Sequence, residues 1–129
     1  MARGTASIGK DSYTTKIEVG GHALTADESV RNGGHDAGPA PYDFLLAGLG
    51  ACTAITLRMY ADRKQWPVTS VDVQLHLTHA EDGAMLVRRA LTIQGEVDAE
   101  QKARMAEIAE KTPVTLTLKA GLRIDTTLG

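Results

Sequence analysis

The sequence predicts an α+β protein in which an antiparallel sheet packs on one long central helix. Three observations carry this prediction. A shaped loop, Gly33–Pro41, feeds an almost unbroken apolar run from Phe44 to Leu57. The segments on either side alternate apolar and polar residues with the period of a strand. The order of elements is strands, long helix, two strands, helix, strand, which suits an antiparallel sheet covering helices rather than repeated βαβ units.

At 129 residues the chain is expected to form a single domain spanning 1–129. A chain of this size buries roughly two thirds of its unfolded surface, so its core needs no covalent staples. The formal charge of −2 leaves no basic excess. Arg63-Lys64 and Arg88-Arg89 are isolated pairs, so a nucleic-acid partner is not expected. The single cysteine, Cys52, excludes an internal disulfide framework and fits a reducing, cytoplasmic setting. Met1-Ala2-Arg3-Gly4 lacks the apolar stretch of a signal peptide. The apolar run covers 14 residues. That is below the ~18 of a membrane span, so no membrane partner is expected.

Residues 5–26 read as strands joined by turns. Gly9-Lys10-Asp11 marks one turn, and Gly20-Gly21 marks a hairpin. Thr14, Thr15, Ile17 and Val19 suit the strand from Tyr13 to Val19. His22–Thr25 is a short third strand, and Asp27–Asn32 is polar loop. Three glycines and two prolines fix Gly33–Pro41 as loop. Pro41 fits the first turn of a helix, where its missing N–H is not needed. Asp43 suits the positive end of the helix dipole, and Arg58, Arg63 and Lys64 suit its negative end. Gln65-Trp66-Pro67 ends the helix.

Between Phe44 and Leu57 that helix is apolar or small on every face, the pattern of a helix buried all round. One small chain has little material to surround it. Two such helices meeting in a homodimer would solve the problem, and Gly48 and Gly50 with Ala47, Ala51 and Ala54 permit close approach.

Val68–His79 alternates cleanly, with Val71, Val73, Leu75 and Leu77 on one face. Glu81-Asp82-Gly83 turns the chain into a second strand, Met85–Val97, in which Arg89 interrupts an apolar phase of Val87, Leu91 and Ile93. Asp98 and Gln101 form a capping box for the next helix, which Thr112-Pro113 interrupts. Val114–Leu118 fits a short helix or a strand, and Leu122–Thr126 fits a final strand.

The run Gly33-Gly34-x-Asp36-x-Gly38-Pro39-x-Pro41-Tyr42-Asp43-x-Leu45-Leu46-Ala47-x-Leu49-Gly50-Ala51-Cys52-Thr53-Ala54 resembles the central signature of the OsmC/Ohr family, the osmotically inducible and organic hydroperoxide resistance proteins. It is most similar to the OsmC-like branch. The resemblance implies an OsmC-like fold and an intertwined homodimer with active sites at the subunit interface. It also implies a thiol peroxidase that reduces organic hydroperoxides with an external thiol reductant, in oxidative stress defence. Cys52 matches the reactive cysteine. Thr112, before Pro113, stands where the resolving cysteine belongs, which implies a one-cysteine cycle. The family's acid corresponds to Asp43 and its arginine to Lys10. On a regular helix the nine residues from Asp43 to Cys52 turn 900°, which places them on opposite sides.

Beside the resemblance stand plainer readings. A free cysteine in an apolar run is ordinarily inert packing. Tyr42 and Phe44 are candidates to line a substrate pocket, or are simply core. His35 is the histidine best placed to act, being in the loop before the helix. His76 and His79 are three apart on a strand and face opposite ways. No spacing fits a metal site, and no cofactor is expected. The alternative function is a non-catalytic protein of the same fold that binds a small apolar ligand at the dimer interface.

Overall fold

A computed structural model describes residues 1–129. The chain divides into two compact units, Met1–Leu45 and Leu46–Gly129.

In the first unit, three antiparallel strands lie in sequence order: β1 (Gly4–Ser7), β2 (Thr15–Val19) and β3 (His22–Ala26). Ile17 pairs with Leu24, and Val19 with His22 across the tight turn. Gly20 and Gly21 take φ of +59° and +80°, the pair of positive values that a two-residue hairpin of this twist requires. The segment expected to be only loop, Asp27–Asn32, contains a single 3-10 turn at Val30–Asn32, with Ser29 accepting from the Asn32 N–H at its start.

α1 (Pro41–Lys64) begins in the first unit and continues into the second. It ends as the sequence predicts. Gln65 takes a left-handed φ of +58°, and the Trp66 N–H reaches back to the Ala61 carbonyl at 2.9 Å. Of its residues only Leu49, Thr53, Leu57 and Ala61 are buried, a row spaced by four along one face. The opposite face stays open in the single chain, with Ile55 and Met59 54% and 58% exposed, and Leu45, one turn before the buried row, is 49% exposed. All-round burial is thus not achieved within one chain. The expectation that the apolar run is too short to span a membrane is also revised, since the helix containing it is by length and composition long enough. Its buried row nonetheless packs into a protein core.

That core lies in the second unit. β4 (Val68–His79) and β5 (Met85–Gly95) form a long antiparallel hairpin in which Val73 pairs with Leu91 and Leu75 with Arg89. α2 (Ala99–Ala109) opens with the predicted Asp98–Gln101 capping box. α3 (Pro113–Ala120) resolves the helix-or-strand ambiguity as helix, with Pro113 in its first turn. Leu57 and Ala61 of α1 meet Val68, Ile93, Met105 and Ala109 in one buried cluster. Trp66 lies edge-on to Tyr60 with ring centroids 5.5 Å apart.

Two predicted elements differ. β5 stops at Gly95 rather than Val97. Gly95 has φ +129° and lies so close to the Pro67 carbonyl that any side chain would collide with it. The predicted final strand does not form: residues 121–129 have no regular structure, and Leu122 and Ile124 are 73% and 83% exposed. Their alternation suits a strand, but no strand of this chain pairs with them.

Candidate active site

Cys52 lies on α1, half-buried, beside the buried row. The residue after it, Thr53, is wholly buried and donates its hydroxyl to the Leu49 carbonyl at 2.7 Å. This ties the side chain to its own helix and leaves the hydroxyl lone pairs free to accept.

They accept from Arg89. In β5 the inward positions alternate through Val87, Arg89, Leu91 and Ile93, so the guanidinium is carried inward in phase, not out of it. Only 11% of that side chain is exposed. A buried guanidinium must spend its donors on acceptors, and here the acceptors converge from three helices. Arg89 Nη1 donates to Thr53 Oγ1 at 3.0 Å and to Thr115 Oγ1 at 2.8 Å. Arg89 Nη2 donates to the Ala109 carbonyl at 3.0 Å and to Glu110 Oε2 at 2.7 Å. The Ala109 carbonyl is one of those that the end of α2 leaves without an intrahelical partner, so Arg89 caps α2 from the sheet.

Thr112 joins the same network. As the residue before α3 it would ordinarily cap the helix, yet its side chain makes no cap bond. Its hydroxyl instead lies 2.6 Å from Thr115 Oγ1. Thr112 is 0% exposed and Thr115 4%. Glu110 is the exposed end of the network, 60% open, and is also bonded to Lys119 Nζ at 3.2 Å. Hydrogen bonds from Arg89 and Lys119 hold its carboxyl below the usual glutamate range, against a small opposing effect of burial.

A second buried charge organises the first unit. Asp27, at the end of β3, is 2% exposed. Its Oδ1 accepts from the N–H groups of Tyr13 at 3.1 Å and Glu28 at 2.7 Å. Its Oδ2 accepts from the N–H groups of His35 at 3.2 Å and Ala37 at 3.1 Å, and from the Thr14 hydroxyl at 3.2 Å. Burial alone would raise its pKa, but the backbone donors of Ala37, Glu28, Tyr13 and His35 outweigh it and lower the value to about 2. The glycines of the loop serve this wrapping. A side chain at Gly34 would strike Asp27 and the Glu28 carbonyl, and one at Gly38 would strike the Thr25 carbonyl.

The residues singled out from the sequence divide between the units. Lys10 is exposed in the connection between β1 and β2. His35 is exposed, and its backbone N–H serves Asp27. Tyr42 is 56% exposed, and Phe44 is half-buried in the first turns of α1. Asp43 accepts from the Ala40 N–H at 3.0 Å and so caps α1. α1 is unbroken from Asp43 to Cys52, so the half-turn offset between them stands.

The family model described as OsmC-like protein matches residues 33–127. The chain belongs to the OsmC family. Solved OsmC structures share its fold. An OsmC-like protein from Mycoplasma pneumoniae aligns with a TM-score of 0.76 at 19% identity, over 92% of this chain and 87% of that one. An organic hydroperoxide resistance protein OsmC from Legionella pneumophila aligns at 0.66 and 19%, over 92% and 89%. An organic hydroperoxide resistance protein from Elizabethkingia anophelis aligns at 0.63 and 19%, over 91% and 87%. No curated protein matches the chain.

Within this OsmC chain, sequence reasoning missed Arg89, Thr53, Thr115 and Asp27. The signal for Arg89 was present: one charged residue at an inward position of an otherwise apolar strand face. Asp27, between an alternating strand and a glycine pair, carried a weaker one.

Proposed function

We propose that this OsmC-family chain is a thiol-dependent peroxidase that reduces organic hydroperoxides by a one-cysteine cycle at Cys52, in oxidative stress defence. The Cys52 thiolate attacks the peroxide O–O bond and takes one oxygen as a sulfenic acid, and the other leaves as the alcohol after gaining a proton. One external thiol then condenses with the sulfenic acid, releasing water and forming a mixed disulfide. A second external thiol attacks that disulfide, restoring Cys52 and leaving the reductant oxidised. Asp43 and Lys10 are the residues that match the family's charged partners, with Tyr42, Phe44 and His35 on the substrate side.

The observation that carries the one-cysteine reading is Thr112. By the family resemblance it stands in for the resolving thiol; it is wholly buried, and its hydroxyl is engaged with Thr115 in the Arg89 network. Cys52 is the only thiol in the chain. The open face of α1, with Ile55 and Met59 exposed, supports a homodimer in which that face is covered by a second copy. The same reading puts the protein in the cytoplasm, where thiol reductants are abundant.

The test follows cumene hydroperoxide consumption with a monothiol as reductant. Wild-type protein should turn over and Cys52→Ser should not. Equal rates for the two proteins would refute the cycle and favour a non-catalytic ligand-binding role.

A further inference from the structure

We propose that the cleft between the start of β5, the end of α2 and α3 binds an amphipathic carboxylate, and that Glu110 is its built-in competitor. The cleft has a volume of about 570 Å³, within the range of small-molecule sites. Leu49, Met85 and Leu118 give it apolar walls, and Arg89, Glu110 and Lys119 form its polar end. Met85 and Leu118 are 53% and 42% exposed, so apolar surface is open for a ligand to cover.

The polar end is a seat for one carboxylate between two cations. Arg89 Nη2 and Lys119 Nζ lie 2.7 Å and 3.2 Å from the two oxygens of the Glu110 carboxylate. That carboxylate is poorly placed to be permanent. Glu110 is the C-cap of α2, the negative end of its dipole, where an anion is disfavoured. Its side chain is 60% exposed and can rotate into water. Lys119, in contrast, lies in the last turn of α3, where a cation is favoured. Arg89 does not depend on Glu110 for its position, because Thr53, Thr115 and the Ala109 carbonyl hold it. The seat therefore persists when Glu110 leaves, with two cations facing an apolar cleft. A ligand carboxylate would take the same two contacts, and its hydrocarbon body would cover Met85 and Leu118. A preformed seat of this kind lowers the ordering cost of binding. A medium-chain monocarboxylate meets both requirements, whereas a neutral apolar molecule meets only one. The site does not rest on Cys52 chemistry.

Calorimetric titration of the full-length protein with decanoate and with decanol tests this. Decanoate should bind wild type, with decanol about tenfold weaker or undetectable. Glu110→Gln removes the competing charge at an exposed position and should tighten decanoate about tenfold while leaving decanol unchanged. Lys119→Met should weaken decanoate several-fold. Cys52→Ser should bind as wild type, which separates this site from the peroxidase cycle. Equal affinity for the acid and the alcohol would overturn the proposal, as would Glu110→Gln binding decanoate no better than wild type.

Discussion

Asp27 and Arg89 are both buried charges, one in each unit, but they are satisfied in different chemical currencies. Asp27 draws on backbone N–H groups of four residues and one hydroxyl. Arg89 draws on side chains, Thr53, Thr115 and Glu110, and on a single carbonyl. Backbone donors are supplied by any non-proline residue. The Asp27 centre is therefore indifferent to most side chains and constrains only the path of the chain, which is why it demands glycine at positions 34 and 38. Hydroxyl acceptors are supplied by particular residues, so the Arg89 centre constrains identity. It is also the centre that involves Thr112, in the place where a resolving cysteine is expected.

The largest effect should come from removing Arg89. Arg89→Met leaves the hydroxyls of Thr53 and Thr115 and the Ala109 carbonyl short of a donor, and should cost on the order of 3–5 kcal/mol in urea denaturation. A loss under about 1 kcal/mol would mean that water or rotation satisfies them instead.

Asp27 should show itself through pH. Its folded-state pKa is depressed, so the stability it contributes is complete above its ordinary value of 3.8 and is lost as pH falls through about 2. Wild type should lose thermal stability steeply over that acid range. Asp27→Asn should be less stable at neutral pH and flatter in acid, because it has no charge to lose. Parallel melting curves for the two proteins from about pH 5 to about pH 2 would show that the carboxylate is not what holds the loop.

A smaller effect separates identity from mere polarity at the second centre. Thr115→Val keeps shape but removes the hydroxyl shared by Arg89 and Thr112, and should cost about 1–3 kcal/mol. Smallest of all, Glu110→Gln should change stability by no more than about 1 kcal/mol, since its side chain is largely solvated.

The same division explains what the sequence made legible. Periodicity located β4, β5 and α1, because each buries one face and the alternation or the apolar run records it. The capping box at Asp98 and Gln101 and the hairpin at Gly20-Gly21 were legible because both are local. Leu122–Thr126 misled because its alternation is real, but the segment has no partner strand within one chain. The apolar girth of α1 was read as burial, yet one chain covers only the row from Leu49 to Ala61. Asp27 and Arg89 stayed hidden for one physical reason: their partners lie up to 14 and 36 residues away in sequence, respectively. A buried charge whose partners are that distant leaves only an anomaly in the pattern, as Arg89 did in β5. The family signature around Cys52 was legible, and the family model matches residues 33–127.

The most direct measurement is the oxidation state of Cys52 during turnover. Protein exposed to stoichiometric cumene hydroperoxide in the presence of dimedone should carry one adduct per chain, on Cys52. The yield should fall when an external thiol is added first. Protein that keeps a free, unlabelled Cys52 thiol under excess hydroperoxide would contradict the account.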